Sequence, residues 1–149
     1  MTGHIRWQIR RDMPQVLEIE EACFIEPWDE EDVVKRLHVR NCIGMVVEDC
    51  EQVAAYMMYE LYKTHFNVLR MAVHPDFRYE GKGRQMIKQL ADKLTLQRRS
   101  KIIFAIHEQN LDAQLWLQAC GLVCVEIVGD EYIFEYDYEM ECLFNGDQG

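Results

Sequence analysis

Two glycines one residue apart, Gly81 and Gly83, stand among the cations Arg78, Lys82 and Arg84, where a strand-like segment gives way to a helix-like one. Neither glycine has a Cβ, so the backbone of Arg78-Tyr79-Glu80-Gly81-Lys82-Gly83-Arg84 can curl and turn several N–H groups toward one point. The helix that follows opens on N–H groups without intrahelical acceptors and on the positive end of its dipole. Together these make an anion site that suits a pyrophosphate, with three cationic side chains to add charge around it. The bare alternative is that the pair of glycines only permits a tight turn. The chain carries neither a G-x-x-x-x-G-K-[ST] phosphate loop nor the full G-x-G-x-x-G fingerprint, which argues against a nucleotide triphosphatase and a dinucleotide-dependent dehydrogenase.

The six cysteines, Cys23, Cys42, Cys50, Cys120, Cys124 and Cys142, show no C-x-x-C spacing. Cys120 and Cys124 are separated by Gly121 and have no histidine nearby to complete a zinc set. With no apolar signal segment at the amino terminus, they are expected to be reduced thiols of a cytoplasmic protein. No stretch reaches the roughly 18 apolar residues of a membrane span.

The elements that would position the glycine loop can be read from periodicity. His4 to Arg10 predicts a strand, and Asp12 is expected to cap a helix that tolerates Pro14 in its first turn and turns Met13, Val16, Leu17 and Cys23 inward. A second helix opens at Asp29, acidic at its start (Glu30, Glu31, Asp32) and basic at its end (Lys35, Arg36, His38), with Val33, Val34 and Leu37 as its buried side. Cys42 to Glu48, Val53 to Tyr62 and Asn67 to Val73 predict a meander of three strands. Met86, Ile87, Leu90, Ala91 and Leu94 recur at helical spacing through about Arg98. Ile102 to Ile106 predicts a strand, Asn110 caps a helix ending at Gly121, and Leu122 to Val128 with Tyr132 to Tyr138 predict a closing hairpin across Gly129-Asp130.

At 149 residues, with 49% apolar residues and three prolines, the chain is expected to fold as one domain over 1–149, a mixed α/β fold with its sheet flanked by helices. The net charge of −10, without a basic stripe interleaved with aromatics, argues against nucleic acid as a partner. Acidity would steer a cationic substrate inward, and it serves solubility equally well.

Arg78-Tyr-Glu-Gly-Lys-Gly83 resembles the R/Q-x-x-G-x-G/A motif of the GCN5-related N-acetyltransferases (GNAT), and Val73-His-Pro-Asp-Phe77 before it resembles the family's usual approach to that motif. Asn110 with Ala113-Gln-Leu-Trp-Leu-Gln-Ala-Cys-Gly-Leu122 is similar to the family's N-x-x-A-x-x-[FLY]-[YF]-x-x-x-G-F segment, and the order of elements covers essentially the whole chain. The nearest likeness is to the RimI-like branch, which acetylates the amino terminus of a ribosomal protein. The resemblance implies a mostly antiparallel sheet with a β-α-β unit that binds acetyl-CoA, the acyl donor. It places the cofactor in a V between the strand ending at Val73 and the strand beginning near Ile102. Met71, Ala72 and Val73 would lie along the thioester, Arg78 to Arg84 would hold the pyrophosphate, and Asn110 would touch the pantetheine arm or the helix side of the cofactor. It also implies an amine acceptor, a protein amino terminus among the candidates, and a monomer or homodimer.

Acetyl transfer to an ammonium requires removal of a proton, stabilisation of a tetrahedral oxyanion and protonation of the leaving thiolate. The positions where the RimI-like branch often carries a glutamate base and a tyrosine acid are Ala105 and Leu117 in this chain. Three readings stay open. His107, two residues from Ala105 on the same strand face, could replace the base with its imidazole. Glu60, His65 or Tyr132 could supply it from neighbouring strands. Alternatively, the chain binds CoA without efficient transfer and acts as a sensor or interaction module. Phe24 to Trp28 is read first as a packed loop, although the resemblance places that segment beside the acceptor.

Overall fold

The computed structural model describes residues 3–96 and 98–137. Among them are seven strands and four α-helices: β1 (His4–Trp7), α1 (Met13–Cys23), α2 (Glu30–Leu37), β2 (Cys42–Asp49), β3 (Gln52–Leu61), β4 (His65–Val73), α3 (Lys82–Leu96), β5 (Lys101–His107), α4 (Leu111–Ala119), β6 (Val123–Val128) and β7 (Glu131–Asp137). The strands hydrogen-bond in the order β1-β2-β3-β4-β5-β7-β6. The β1/β2, β2/β3, β5/β7 and β6/β7 ladders are antiparallel, and β4 runs parallel to β5 across the α3 crossover. This is the mixed α/β, mostly antiparallel architecture with a β-α-β unit that the sequence predicts. The chain divides into two compact units, Met1–Leu61 with Leu69–Lys88 and Tyr62–Val68 with Gln89–Gly149.

In the first unit, β1 stops at Trp7 rather than Arg10, because the Ile9 N–H turns to the Asp12 carboxylate at 2.8 Å and the chain enters a 3-10 turn, Arg10–Asp12. Asp12 therefore does not cap α1 through its side chain. Its buried carboxylate instead takes a forked pair of hydrogen bonds from Arg6, both at 2.8 Å. Burial works to raise that carboxyl, but the Arg6 and Ile9 hydrogen bonds outweigh it and hold Asp12 below its ordinary value. α2 begins as expected: Asp29 and Asp32 form a reciprocal capping box, and acidic residues fill the first turn. Val33 faces the core with Cys42 and Met58, whereas Val34, expected on the same side, is exposed.

The central strands of this unit are buried on both faces, so β3 reads as the near-continuous apolar run Val53 to Tyr59. Val16 and Ile19 of α1 pack on Val46, Val53, Tyr56 and Ala72. Beside that cluster the carboxylate of Glu20, fully buried, is satisfied on every side. It accepts from the Trp28 N–H (2.7 Å), from Arg70 Nη2 (3.0 Å) and Nε (3.1 Å), and from the Tyr56 hydroxyl. The Arg70 guanidinium lies over the rings of Phe24 (3.8 Å) and Trp28 (4.5 Å) and donates to the Glu26 carbonyl (3.0 Å). The segment between α1 and α2 is thus packed internally through Phe24 and Trp28, while Ile25 projects into solvent.

In the second unit, β4 opens at His65 rather than Asn67, because the parallel ladder with β5 pairs His65 with Lys101 and runs to Val68 with Phe104. α3 ends at Leu96, short of Arg98, whose left-handed φ of 59° ends the helical path. Leu90, Leu94, Ile102, Phe104, Leu117, Leu122 and Phe134 are buried. α4 ends at Ala119, with Gly121 left-handed (φ 96°) just past the stop, as a glycine C-terminal signal predicts. On β7 the alternating aromatics share a face, Phe134 buried and Tyr132 and Tyr136 half-buried. Glu135, on the other face, pairs with Lys101 at 3.1 Å. Tyr138 and Cys142 lie outside the described residues. The five described cysteines are free thiols.

Candidate cofactor site

The candidate site is built within the first unit from the end of β4, the loop after it and the first turn of α3. β4 is held to its last residue: the His74 N–H donates to the Ala54 carbonyl at 2.8 Å. Pro75, with its preset φ, opens a 3-10 turn that His74 caps by accepting the Asp76 N–H on Nδ1 at 3.1 Å. His74 Nε2 lies 3.3 Å from Glu18. The imidazole therefore shapes the loop entry, as the sequence suggests. After this turn Tyr79 (φ 65°) and Gly81 (φ 82°), just ahead of α3, are both left-handed. A Cβ at Gly81 would meet no atom within 4 Å, so glycine is required there by conformation rather than by crowding. Gly83 has a different role, lying buried inside the first helical turn.

The first i→i−4 bond of α3 runs from the Gln85 N–H to the Gly81 carbonyl at 2.9 Å, so the N–H groups of Lys82, Gly83 and Arg84 precede it and have no intrahelical acceptor. α3 runs from Lys82 to Leu96, long enough to present a full dipole end. Backbone donors on a left-handed approach and an exposed Arg84 fit a pyrophosphate.

The three cations predicted around the anion are placed differently from one another. Arg84 is exposed on the first turn. Arg78 folds back on the strand: its Nε donates to the Val73 carbonyl (3.3 Å) and its Nη2 to Cys23 Sγ (3.2 Å), while the Cys23 thiol donates to the same carbonyl (3.3 Å). Lys82 corrects the expectation of a third outward charge, because its side chain is 1% exposed and its ammonium pairs with the buried Asp49 carboxylate at 2.8 Å. Glu80 Oε1 lies 3.7 Å from the same ammonium. Lys82 can serve an anion through its backbone N–H, not through its charge. Asp49 and Cys23 carried no sequence signal for this neighbourhood, since only the folded chain brings them to the loop.

Residues 13–122 match the family described as Acetyltransferase (GNAT) family. The chain belongs to that family. GNAT enzymes are acetyl-CoA-dependent N-acetyltransferases, with acetyl-CoA as the acyl donor. No curated protein sequence matches the chain. Among solved structures it is similar to the ribosomal-protein-S18-alanine N-acetyltransferase from Escherichia coli, at 18% identity and a TM-score of 0.77, covering 89% of this chain and 90% of that one. It is similar to the PaiA N-acetyltransferase from Thermoplasma acidophilum in complex with coenzyme A, at 13% identity and 0.78, covering 93% and 100%. A variant of the spermidine N-acetyltransferase SpeG from Vibrio cholerae follows at 18% and 0.73, covering 93% and 95%. At these identities the likeness is one of fold.

The residues expected to work on the acceptor amine are divided between the two units. Glu60 is in the first unit on β3, paired in register with Cys42. Burial, and then the Glu60 charge, push the Cys42 thiol up. His107 and Tyr132 belong to the second unit. Tyr132 is half-buried on β7, opposite Ile106 and Ile127. His107 Nδ1 accepts the Gln109 N–H at 3.1 Å and Nε2 lies 3.1 Å from Asp130 Oδ2. His65 stacks on Tyr62, ring centroids 5.0 Å apart. Asn110 caps α4, its Oδ1 accepting the Ala113 N–H at 3.2 Å. Ala105 is exposed on β5, and Leu117 is 1% exposed and faces the interior. Among the described residues no three His, Cys, Asp or Glu side chains gather into a metal site, and no helix is long and apolar enough to cross a membrane.

Proposed function

We propose that this chain moves the acetyl group of acetyl-CoA to a primary amine, with a protein amino terminus of the RimI-like kind as the first candidate acceptor, in the cytoplasm and as a monomer or homodimer. The observation that carries the reading is the first turn of α3, where three backbone N–H groups follow the left-handed Gly81 with Arg84 exposed beside them. That arrangement anchors the donor and leaves the thioester along Met71 to Val73, where a neutral amine attacks its carbonyl. The C–N bond forms as the C–S bond breaks, the ammonium proton leaves through water, and the CoA thiolate is reprotonated. The net charge of −10 supports a cationic acceptor by steering. Asn110, on the cap of α4, is proposed as a pantetheine contact through the polar groups its capping bond leaves over.

One set of observations favours a second reading, a CoA-binding sensor with weak turnover. Ala105 and Leu117 stand where base and acid are usual, and both nitrogens of His107 are engaged. Calorimetric titration with acetyl-CoA, followed by thiol release against polyamines and peptides with free amino termini, separates the two. Binding with CoA release supports transfer; binding without release supports the sensor; no binding removes both.

A further inference from the structure

Lys82 opens a helix, where a positive side chain opposes the dipole, and yet it is almost fully buried. A lysine serving as a phosphate ligand would keep its ammonium at the surface. Here the ammonium points inward to Asp49, the last residue of β2, at 2.8 Å, and Asp49 is itself 7% exposed. A second tie lies one turn along the same helix face, where Gln85 Nε2 donates to the Gly3 carbonyl at 3.0 Å. The turn that carries Asp49 is strained: Cys50 (φ 53°) and Glu51 (φ 65°) are consecutive left-handed residues, and neither is glycine. The Cys50 thiol also hydrogen-bonds the Asp49 carboxylate, which pushes that thiol up. Backbone strain of this kind persists only where surrounding contacts over-determine it, and the contact it delivers is the one behind the cofactor loop.

We propose that Asp49 is a positioning residue of the acetyl-CoA site, holding Lys82 from behind so that the first turn of α3 keeps its N–H groups aimed at the pyrophosphate. The inference rests on the reading that this turn receives the pyrophosphate. It assigns the β2–β3 turn to the cofactor site and makes Lys82 an internal anchor instead of a ligand.

The test is calorimetric titration of the full-length chain with acetyl-CoA, with thermal unfolding of each variant recorded so that affinities are read well below its midpoint. Asp49→Asn removes the countercharge and is expected to weaken acetyl-CoA by roughly tenfold, within the range of couplings between contacting groups. Replacing both partners, Asp49→Leu with Lys82→Met, removes the buried charges together and fills their space. This double variant is expected to recover most of the affinity lost in Asp49→Asn. A direct-ligand role for Lys82 predicts the opposite pattern: Asp49→Asn frees the ammonium and binds as tightly as wild type or tighter, and the folded double variant stays weak. Either of those results overturns the inference. If Asp49→Asn does not fold, the double variant alone decides. A wild-type chain that fails to bind acetyl-CoA would instead overturn the reading of the loop on which the inference stands.

Discussion

Replacing Arg70 by methionine keeps the aliphatic stem and removes the charge that faces Glu20. The carboxylate of Glu20 would retain the Trp28 N–H and the Tyr56 hydroxyl but lose both guanidinium bonds, at 3.0 and 3.1 Å, in a site with no solvent exposure. Removing one partner of a buried pair costs about 3–5 kcal/mol, and the two donors that remain place this case near the lower end, about 3 kcal/mol. With a urea m-value of about 2 kcal/mol/M, the unfolding midpoint should fall by about 1.5 M. The same change frees Phe24 and Trp28 from the guanidinium stack, so the fluorescence of Trp28 should shift before global unfolding. Equilibrium urea denaturation followed by circular dichroism supplies the measurement, with Arg70→Met/Glu20→Gln as the partner variant. Glutamine keeps an amide oxygen for the Trp28 N–H and offers an N–H that the Tyr56 hydroxyl oxygen can accept, without a net charge, so the double variant should regain at least half of the lost midpoint. A single variant within about 0.5 M of wild type, or a double variant no better than the single, would refute the claim that an unpaired Glu20 charge is what costs stability.

Gly81→Asp places a carboxylate at a left-handed position facing the anion, so acetyl-CoA binding should be lost in calorimetry while the fold survives; unchanged affinity would contradict the loop assignment. Gly83→Asp should abolish binding too, with a larger loss of thermal stability because Gly83 is buried. Asp12 sits below its ordinary value, so its pairing with Arg6 stabilises the fold above about pH 4 and loses that effect as pH falls through the depressed value; the stability gap between wild type and Arg6→Met should therefore close in acid, and a gap independent of pH would rule this out. His107→Ala should cost about 1 kcal/mol through its two turn contacts and leave turnover within a few fold, whereas a hundredfold fall in kcat at unchanged acetyl-CoA affinity would restore the imidazole as base.

The glycine loop was legible because its physics is local. Positive φ at Gly81 and the cap at Asn110 follow from neighbouring residues, whereas α3 begins at Lys82, inside the segment expected to precede it. The meander, the long amphipathic helix and the closing hairpin were legible for the same reason: their hydrophobic periods are short-range signals. Boundaries shifted where a side chain met a distant partner. β1 ended early because Asp12 took the Ile9 N–H, and β4 began early because β5 offered a ladder to His65.

Residue type and spacing by themselves determined that this chain builds a strand–turn–helix junction in a mixed α/β fold, since backbone conformation and helix polarity are set by residues a few positions apart. Tertiary structure alone decided what the charged side chains do there. Lys82 reads as an anion ligand in the sequence and becomes a buried anchor because Asp49 stands behind it. His107 is one of several candidate bases in the sequence, and only the fold brings the Gln109 N–H and Asp130 to its nitrogens. A long or titratable side chain has several partners within reach, and which one it meets depends on the packing of segments far apart in the chain.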